Sequence, residues 1–180
     1  AFASRRHWHF IHDCLVDLNI ALTDLGQPLI VRVGDVCDVL AQLHEQHGVG
    51  DVYMHEETGN SWTYDRDLKV GKLCLDRNIS SHEFPTNGVV RRLRSRDDWS
   101  KIRNVRMAEN ITAKPNNLVP TLGCQSDSLP EKDDPMFGNT PIGKVQKGGR
   151  TQAVADLQSF LNHRCQKYLH HISAPSLSDV

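Results

Sequence analysis

Trp8, Ile11, Leu15, Leu18, Leu22 and Leu25 recur at alternating steps of three and four, which places them on one apolar stripe of an α-helix. Ser4 stands where an N-cap belongs, and Gly26 falls just past the end. "PLIVRVG" (Pro28–Gly34) is short and β-branched and reads as a buried strand. Asp35 then caps a second helix, with Val36, Val39, Leu40 and Leu43 on its inner face and Gly48 as its stop. "DVYM" (Asp51–Met54) reads as the next strand. A third helix is expected from about Trp62 to Arg77, with Leu68 and Leu75 inward, followed by a strand over "ISSHEF" (Ile79–Phe84).

Helices alternating with strands at this spacing form the βαβ pattern of a parallel sheet with helical crossovers. The fold class expected is α/β, a Rossmann-like parallel sheet with flanking helices. The pattern opens on a helix where such a chain has a strand, so a first strand is expected to be missing. After Pro85 the chain turns basic, and "GVVRRLRSRDDWSKIRNVRM" predicts a helix in its second half. Residues 110–150 carry five prolines among many Gly, Asn and Asp, too long and irregular for an ordinary loop, and read as an interdomain linker. A last helix is expected from about Thr151 to His171, with Val154, Leu157, Phe160 and Leu161 inward.

Composition narrows the class only slightly. The net charge of −1 supplies no argument for nucleic acid or an acidic membrane surface. The chain has no run of ~18 apolar residues, so no membrane-spanning helix is expected. Nor does it open with the basic-then-apolar layout of a signal peptide. The five cysteines are widely spaced, without a C-x-x-C or a Cys/His spacing typical of zinc. They read as free, mostly buried thiols in a reducing compartment, and the chain as cytoplasmic.

Short motifs add little chemistry. "GNTPIGKV" (Gly138–Val145) fits G-x-x-x-x-G-K, but Val145 stands where a phosphate loop needs Ser or Thr, and no strand precedes it. No G-x-G-x-x-G follows a strand. His7, His9 and His12 cluster without a carboxylate or cysteine at ligand spacing, so no metal site is assigned. Arg91, Arg92, Arg94 and Arg96 are either phosphate contacts or a salt-bridge cluster helped by Asp97 and Asp98, and the near-zero net charge favours the second. "HEETGNSWTYDRD" (His55–Asp67) joins paired carboxylates to Trp62 and Tyr64 at the carboxyl end of a strand, where open parallel sheets place their ligand crevice.

Four segments taken in order, "SRRHWHFIHDCLVDLNIALTDLGQPLIVRVGD", "HEETGNSWTYDRD", "HEFPTNGVVRRLRSRDDW" and "GGRTQAVADLQSFLNHRCQKYLHHIS", resemble the photolyase/cryptochrome family. The resemblance implies a Rossmann-like antenna-binding domain over residues 1–109, a linker over 110–150, and the entry to an all-helical FAD-binding domain over 151–180. The family's opening strand and the bulk of its helical domain are absent, so the chain is expected to be a fragment. The antenna pocket of the family holds a folate, deazaflavin or other pigment in different members and none in some. In it Glu56 and Glu57 would accept hydrogen bonds from the pigment's ring edge, and Tyr64 would stack on the ring. The structural alternative is that Glu57, Arg66 and Asp67 fix the start of the helix while Trp62 packs on the linker. Tyr168 would lie against the phosphate region of FAD, or else simply close its helix onto its neighbours.

By the same resemblance the whole protein would be a photo-lyase: excitation passes from antenna to reduced FAD, which gives an electron to a cyclobutane pyrimidine dimer flipped out of damaged DNA. No catalytic residue is assigned within these 180 residues, and alone they are expected neither to repair DNA nor to hold FAD. The alternatives are a blue-light photoreceptor cryptochrome and a free-standing α/β domain that binds a nucleotide or a partner protein. The apolar side of the last helix is expected to fold back, to mediate oligomerisation, or to fray.

Overall fold

Apolar and polar residues alternate along Asp51–His55, and this period of two builds the first strand, β1 (Asp51–His55). The computed structural model describes residues 4–86, 88–121, 123–143, 145–172 and 174. Chain contacts divide into two units, Arg32–Lys114 and a second that joins the chain up to Val31 to the chain from Pro115 onward.

In the unit Arg32–Lys114, helix α2 (Val36–His47) starts at Asp35, whose carboxylate accepts the Cys37 N–H at 2.9 Å. It stops at Gly48, held at φ 67°, a conformation that only glycine adopts without strain. Helix α3 (Ser61–Asp76) begins on a reciprocal cap, with Asn60 Oδ1 accepting the Thr63 N–H at 3.1 Å and Thr63 Oγ1 accepting the Asn60 N–H at 3.1 Å. It returns the chain to β2 (Ser80–Phe84), which pairs parallel to β1 in the register Asp51↔Ser80 to His55↔Phe84. This is the expected α/β arrangement, a parallel sheet flanked by helices.

Val70, Cys74 and Ile79 form the buried core of this unit, with Cys37, Leu40, Val49, Val52 and Met54 around it. The expected inward residues of α3 were the wrong ones: Leu68 is 53% and Leu75 81% exposed. At about 100° per residue, Val70 lies roughly 200° around the helix from Leu68, and this side, with its smaller side chains, meets the sheet. Val36 is likewise exposed on α2, while Val39, Leu40 and Leu43 are half-buried. The opposite face of the sheet carries a stack, with Tyr53 on His82 at 4.5 Å and on Phe84 at 6.4 Å. Helix α4 (Trp99–Met107) folds back on the turn before it, where Trp99 Nε1 donates to Gly88 O at 2.7 Å and Arg106 to Val89 O at 2.6 Å.

Residues 28–33 form no strand, against expectation. The Val31 N–H donates to Ser126 Oγ at 2.9 Å and its carbonyl accepts the Asp127 N–H at 2.8 Å, so residues of the long connection meet hydrogen-bonding needs that a ladder would otherwise satisfy.

In the other unit, α1 (Arg5–Asp24) runs between Ser4 and Leu25, with Gly26 beyond at φ 99°. The connection stays irregular among its described residues apart from a short turn at Pro135–Phe137. Lys144 of the G-x-x-x-x-G-K match and the closing residues 175–180 lie outside the described residues. The last helix is not one regular element. Helix α5 (Arg150–Ser159) widens to π spacing over Phe160–Arg164, tightens over Cys165–Lys167 and ends in α6 (Tyr168–His171). Side chains reach into its ladder, Arg164 to Asp156 O at 3.0 Å and the Cys165 thiol to Leu161 O at 3.1 Å. Of its expected inward residues only Phe160 is half-buried, while Val154, Leu157 and Leu161 are exposed. The cysteines are free, as expected, but only Cys74 is buried, and Cys165 is exposed.

Carboxylates of α1 gather this unit. Asp13 Oδ1 lies 2.6 Å from Lys132 Nζ, and its Oδ2 accepts the Gly148 N–H at 3.4 Å. Asp17 accepts both the Thr151 N–H (3.2 Å) and hydroxyl (2.7 Å). Asp133 pairs with Arg5, and His9 Nε2 stands 3.3 Å from it. Each of the three carboxyls is held below its ordinary range. At Asp13 burial pushes upward, but Lys132 and the Gly148 amide outweigh it; at Asp17 the Thr151 hydroxyl dominates, and at Asp133 the Arg5 guanidinium. A carboxyl with a lowered folded pKa stabilises above its unfolded value, ~3.9, and that stability is lost as pH falls through the folded pKa. The stability that these three carboxyls supply is therefore expected to be present above about pH 5 and to be lost below about 4. Trp8, stacked on Phe137 at 4.2 Å and donating to Glu131 O at 3.0 Å, reports on it. Emission of Trp8 in a Trp62→Phe, Trp99→Phe background should show a transition in that acid range, and its absence there would contradict these assignments.

Among the described residues no helix is long and apolar enough to cross a membrane.

Candidate functional site: the cavity along the second strand and the third helix

Along β2 and α3, reaching the carboxyl end of β1, lies a cavity of about 560 Å³, lined among others by Met54, Glu56, Tyr64, Gly71, Ser81, Arg91 and Arg92. Strand pairing places the first of its polar groups. The Glu56 N–H donates to Phe84 O at 2.8 Å, continuing the ladder one step, and its carbonyl accepts the Thr86 hydroxyl at 2.9 Å. With its backbone so fixed, the carboxylate stands in the cavity wall, Oε1 3.6 Å from Arg91. Oε2 is buried and has no hydrogen-bond partner among the described residues.

Tyr64 sits on the first turn of α3, and its hydroxyl accepts from the Arg92 guanidinium. The guanidinium carbons of Arg91 and Arg92 lie 5.8 and 5.9 Å from its ring centroid, within cation–π range. Arg91 also donates to Glu83 at 2.7 Å, a bond that holds its guanidinium above its ordinary value. Arg92 has no carboxylate within 4.0 Å among the described residues. Its backbone is left-handed, φ 56°, an unusual state for a residue with a side chain.

Sequence reasoning named Glu56, Glu57, Tyr64 and Tyr168. Glu56 and Tyr64 meet in this cavity. Glu57 stands behind it, with Oε1 accepting the Gly59 N–H at 2.6 Å and Oε2 3.3 Å from Arg66. Arg66 also reaches Asp67 at 3.1 Å, and Asp67 accepts the Glu57 N–H at 3.2 Å, so the network anticipated for the helix start is present. Tyr168 belongs to the other unit, half-exposed at the start of α6, its ring edge-on to Phe160 at 5.6 Å. Glu83, Arg91 and Arg92 were not foreseen in the site. The arginine run was visible, yet nothing in its spacing showed that the turn after β2 would carry two of its members onto Tyr64. Arg91 finds Glu83 and Glu56 as partners instead of the adjacent Asp97 and Asp98.

The family model described as DNA photolyase matches residues 1–103. The chain belongs to the DNA photolyase family. Solved structures extend the family likeness in fold. The Synechocystis cryptochrome shares 19% identity at a TM-score of 0.68, over 93% of this chain and 38% of that one. A bacterial class III photolyase from Agrobacterium tumefaciens shares 14% identity at a TM-score of 0.66, over 88% of this chain and 36% of that one. The chain thus spans little more than a third of the solved family structures it resembles. No curated protein matches it.

Proposed function

We propose that this chain is the N-terminal, antenna-chromophore-binding portion of a photolyase-like flavoprotein, with residues 1–109 as the antenna domain, 110–150 as linker and 151–180 as the entry to the FAD-binding domain. The observation that carries the reading is the cavity along β2 and α3, with the carboxylate-bearing Glu56 and Tyr64 in its wall. A pterin or flavin-like pigment, such as a folate or deazaflavin, has ring N–H groups for Glu56 and a planar face for Tyr64. Glu57 serves the same site by fixing the start of α3, which carries Tyr64.

In the whole protein, which we take to be cytoplasmic, the electron that opens a cyclobutane pyrimidine dimer in damaged DNA is supplied by reduced FAD. Tyr168, whose hydroxyl has no hydrogen-bond partner among the described residues, is available to meet the flavin's phosphate region. Repair and blue-light signalling by a cryptochrome remain the two outcomes for the whole protein, since fold likeness extends to both.

The full-length protein should carry near-ultraviolet or blue absorbance beyond that of FAD. Glu56→Gln and Tyr64→Ala should each lower pigment content about tenfold, the scale of one lost hydrogen bond to a charged group or one lost aromatic contact. Full pigment retention in both variants would remove the antenna reading. Light-dependent opening of a thymine dimer in an oligonucleotide then separates repair from signalling.

A further inference from the structure

The arginine run after β2 is only partly used by the cavity. Arg91 is bonded there to Glu83 and faces Glu56, and Arg92 is taken up by the Tyr64 hydroxyl. Arg94, Arg96, Lys101, Arg103 and Arg106 follow, and none of them lines the cavity. Over residues 91–106 seven Lys and Arg stand against Asp97 and Asp98, a local charge of +5 in a chain whose total is −1. Pairing with those two carboxylates would reduce the excess. Yet among the described residues none of the five has a carboxylate within 4.0 Å, and the salt-bridge cluster expected from the sequence is confined to Arg91. Where a guanidinium of the five is held, a neutral group holds it. Arg106 donates to Val89 O at 2.6 Å, and Arg103 donates to Asn104 Oδ1 at 3.1 Å and lies over the Trp99 ring. Such contacts fix direction and leave the charge whole. Arg94, Arg96 and Lys101 are exposed.

We infer that this stretch, from Arg94 through α4, docks the phosphodiester backbone of duplex DNA, with no requirement for a lesion or a base sequence. A guanidinium presents paired N–H donors that match two phosphate oxygens. Cations dispersed along a turn and a helix need a partner whose charge repeats along a line, since a compact anion would meet only one or two of them. A duplex carries one charge per ~1.7 Å of its axis, twice the line density of a single strand. The nine residues of α4 span ~13 Å and so face several phosphates at once. Base sequence plays no part, because Arg94, Arg96 and Lys101 have no partner among the described residues to aim them at a base edge.

Fluorescence anisotropy of the 180-residue chain with a labelled, undamaged duplex tests this across a salt series. Five phosphate contacts predict that the logarithm of the binding constant falls against the logarithm of salt with a slope of about −4.5. Arg94→Gln, Arg96→Gln and Lys101→Gln combined should bring the slope to about −2 with the thermal midpoint unchanged, since these side chains are exposed and unpaired. Lys69→Gln with Lys114→Gln, two exposed lysines elsewhere in the same unit, should leave the slope as it was. No binding at low salt overturns the inference, as does a slope that the triple variant leaves unmoved or that the lysine control lowers equally. Tighter binding of a single strand than of the duplex, or equal competition by polyglutamate at matched charge, overturns the assignment of duplex DNA as partner.

Discussion

Gly148→Val is expected to unfasten α5 from α1 and to destabilise the chain by about 3 kcal/mol, the upper range for overpacking. A Cβ at Gly148 would lie 2.2 Å from Phe10 O, 2.8 Å from Cys14 Sγ and 3.1 Å from Cys14 N. The first and third of these atoms are backbone in the middle of α1, so no rotamer change clears them. The chain must either bend a helix or give up the bonds from Gly148, Gly149 and Thr151 to Asp13, Cys14 and Asp17. Gly149 confirms how tightly the segment is threaded, since it sits at φ 106° and a Cβ there would meet Asp17 Cβ at 2.9 Å. Urea denaturation followed by Trp8 emission should show the loss, with faster amide exchange at residues 148–151. A variant within about 0.5 kcal/mol of the unaltered chain, the range of neutral surface changes, would disprove the close approach.

Val70→Ala should cost about 2 kcal/mol, since truncating a buried side chain loses transfer energy and leaves a cavity. The effect on the unit Arg32–Lys114 is large because its buried core among the described residues is small: Val70, Cys74 and Ile79. Leu68→Ala and Leu75→Ala, on exposed residues of the same helix, serve as controls and should stay within about 0.5 kcal/mol. Burial holds the Cys74 and Cys37 thiols above their ordinary pKa, so neither is a ready thiolate, and alkylation of Cys74 is expected only when this core opens. Equal losses from Val70→Ala and Leu75→Ala would show that the helix packs by its leucine stripe after all.

Capping chemistry made the helices legible. Ser4, Asp35 and Gly48 mark termini within a residue, because caps act through local geometry that sequence spacing encodes. The parallel pair was legible for a similar reason, since β1, α3 and β2 form one local unit. The segment 28–33 looked like a strand because β-branching reports tolerance of extended backbone, whereas a strand also needs a neighbour that the pattern does not name. On α3 two apolar stripes competed, and leucine spacing alone favoured the one that faces solvent. The site divided in the same way. Glu56 and Tyr64 were legible from the strand end they follow, while Arg91 and Arg92 entered through a turn whose path depends on Arg92 adopting φ 56°, a conformation no propensity assigns to arginine.

The bonds that tie α1 to Gly148, Gly149 and Thr151 span 134–135 positions of the chain, and Arg32–Lys114 lies between their ends. During synthesis at ~5–20 residues per second, on the order of ten seconds separate the two sides of this contact. The inserted unit has all its partners at hand within that interval and closes by local contacts. Helix α1 does not: its bonds to Gly148, Gly149 and Thr151 form only after the whole of Arg32–Lys114 has been made. Substitution at Gly148 is expected to prolong the interval in which α1 lacks these bonds, while the inserted unit closes on its own contacts.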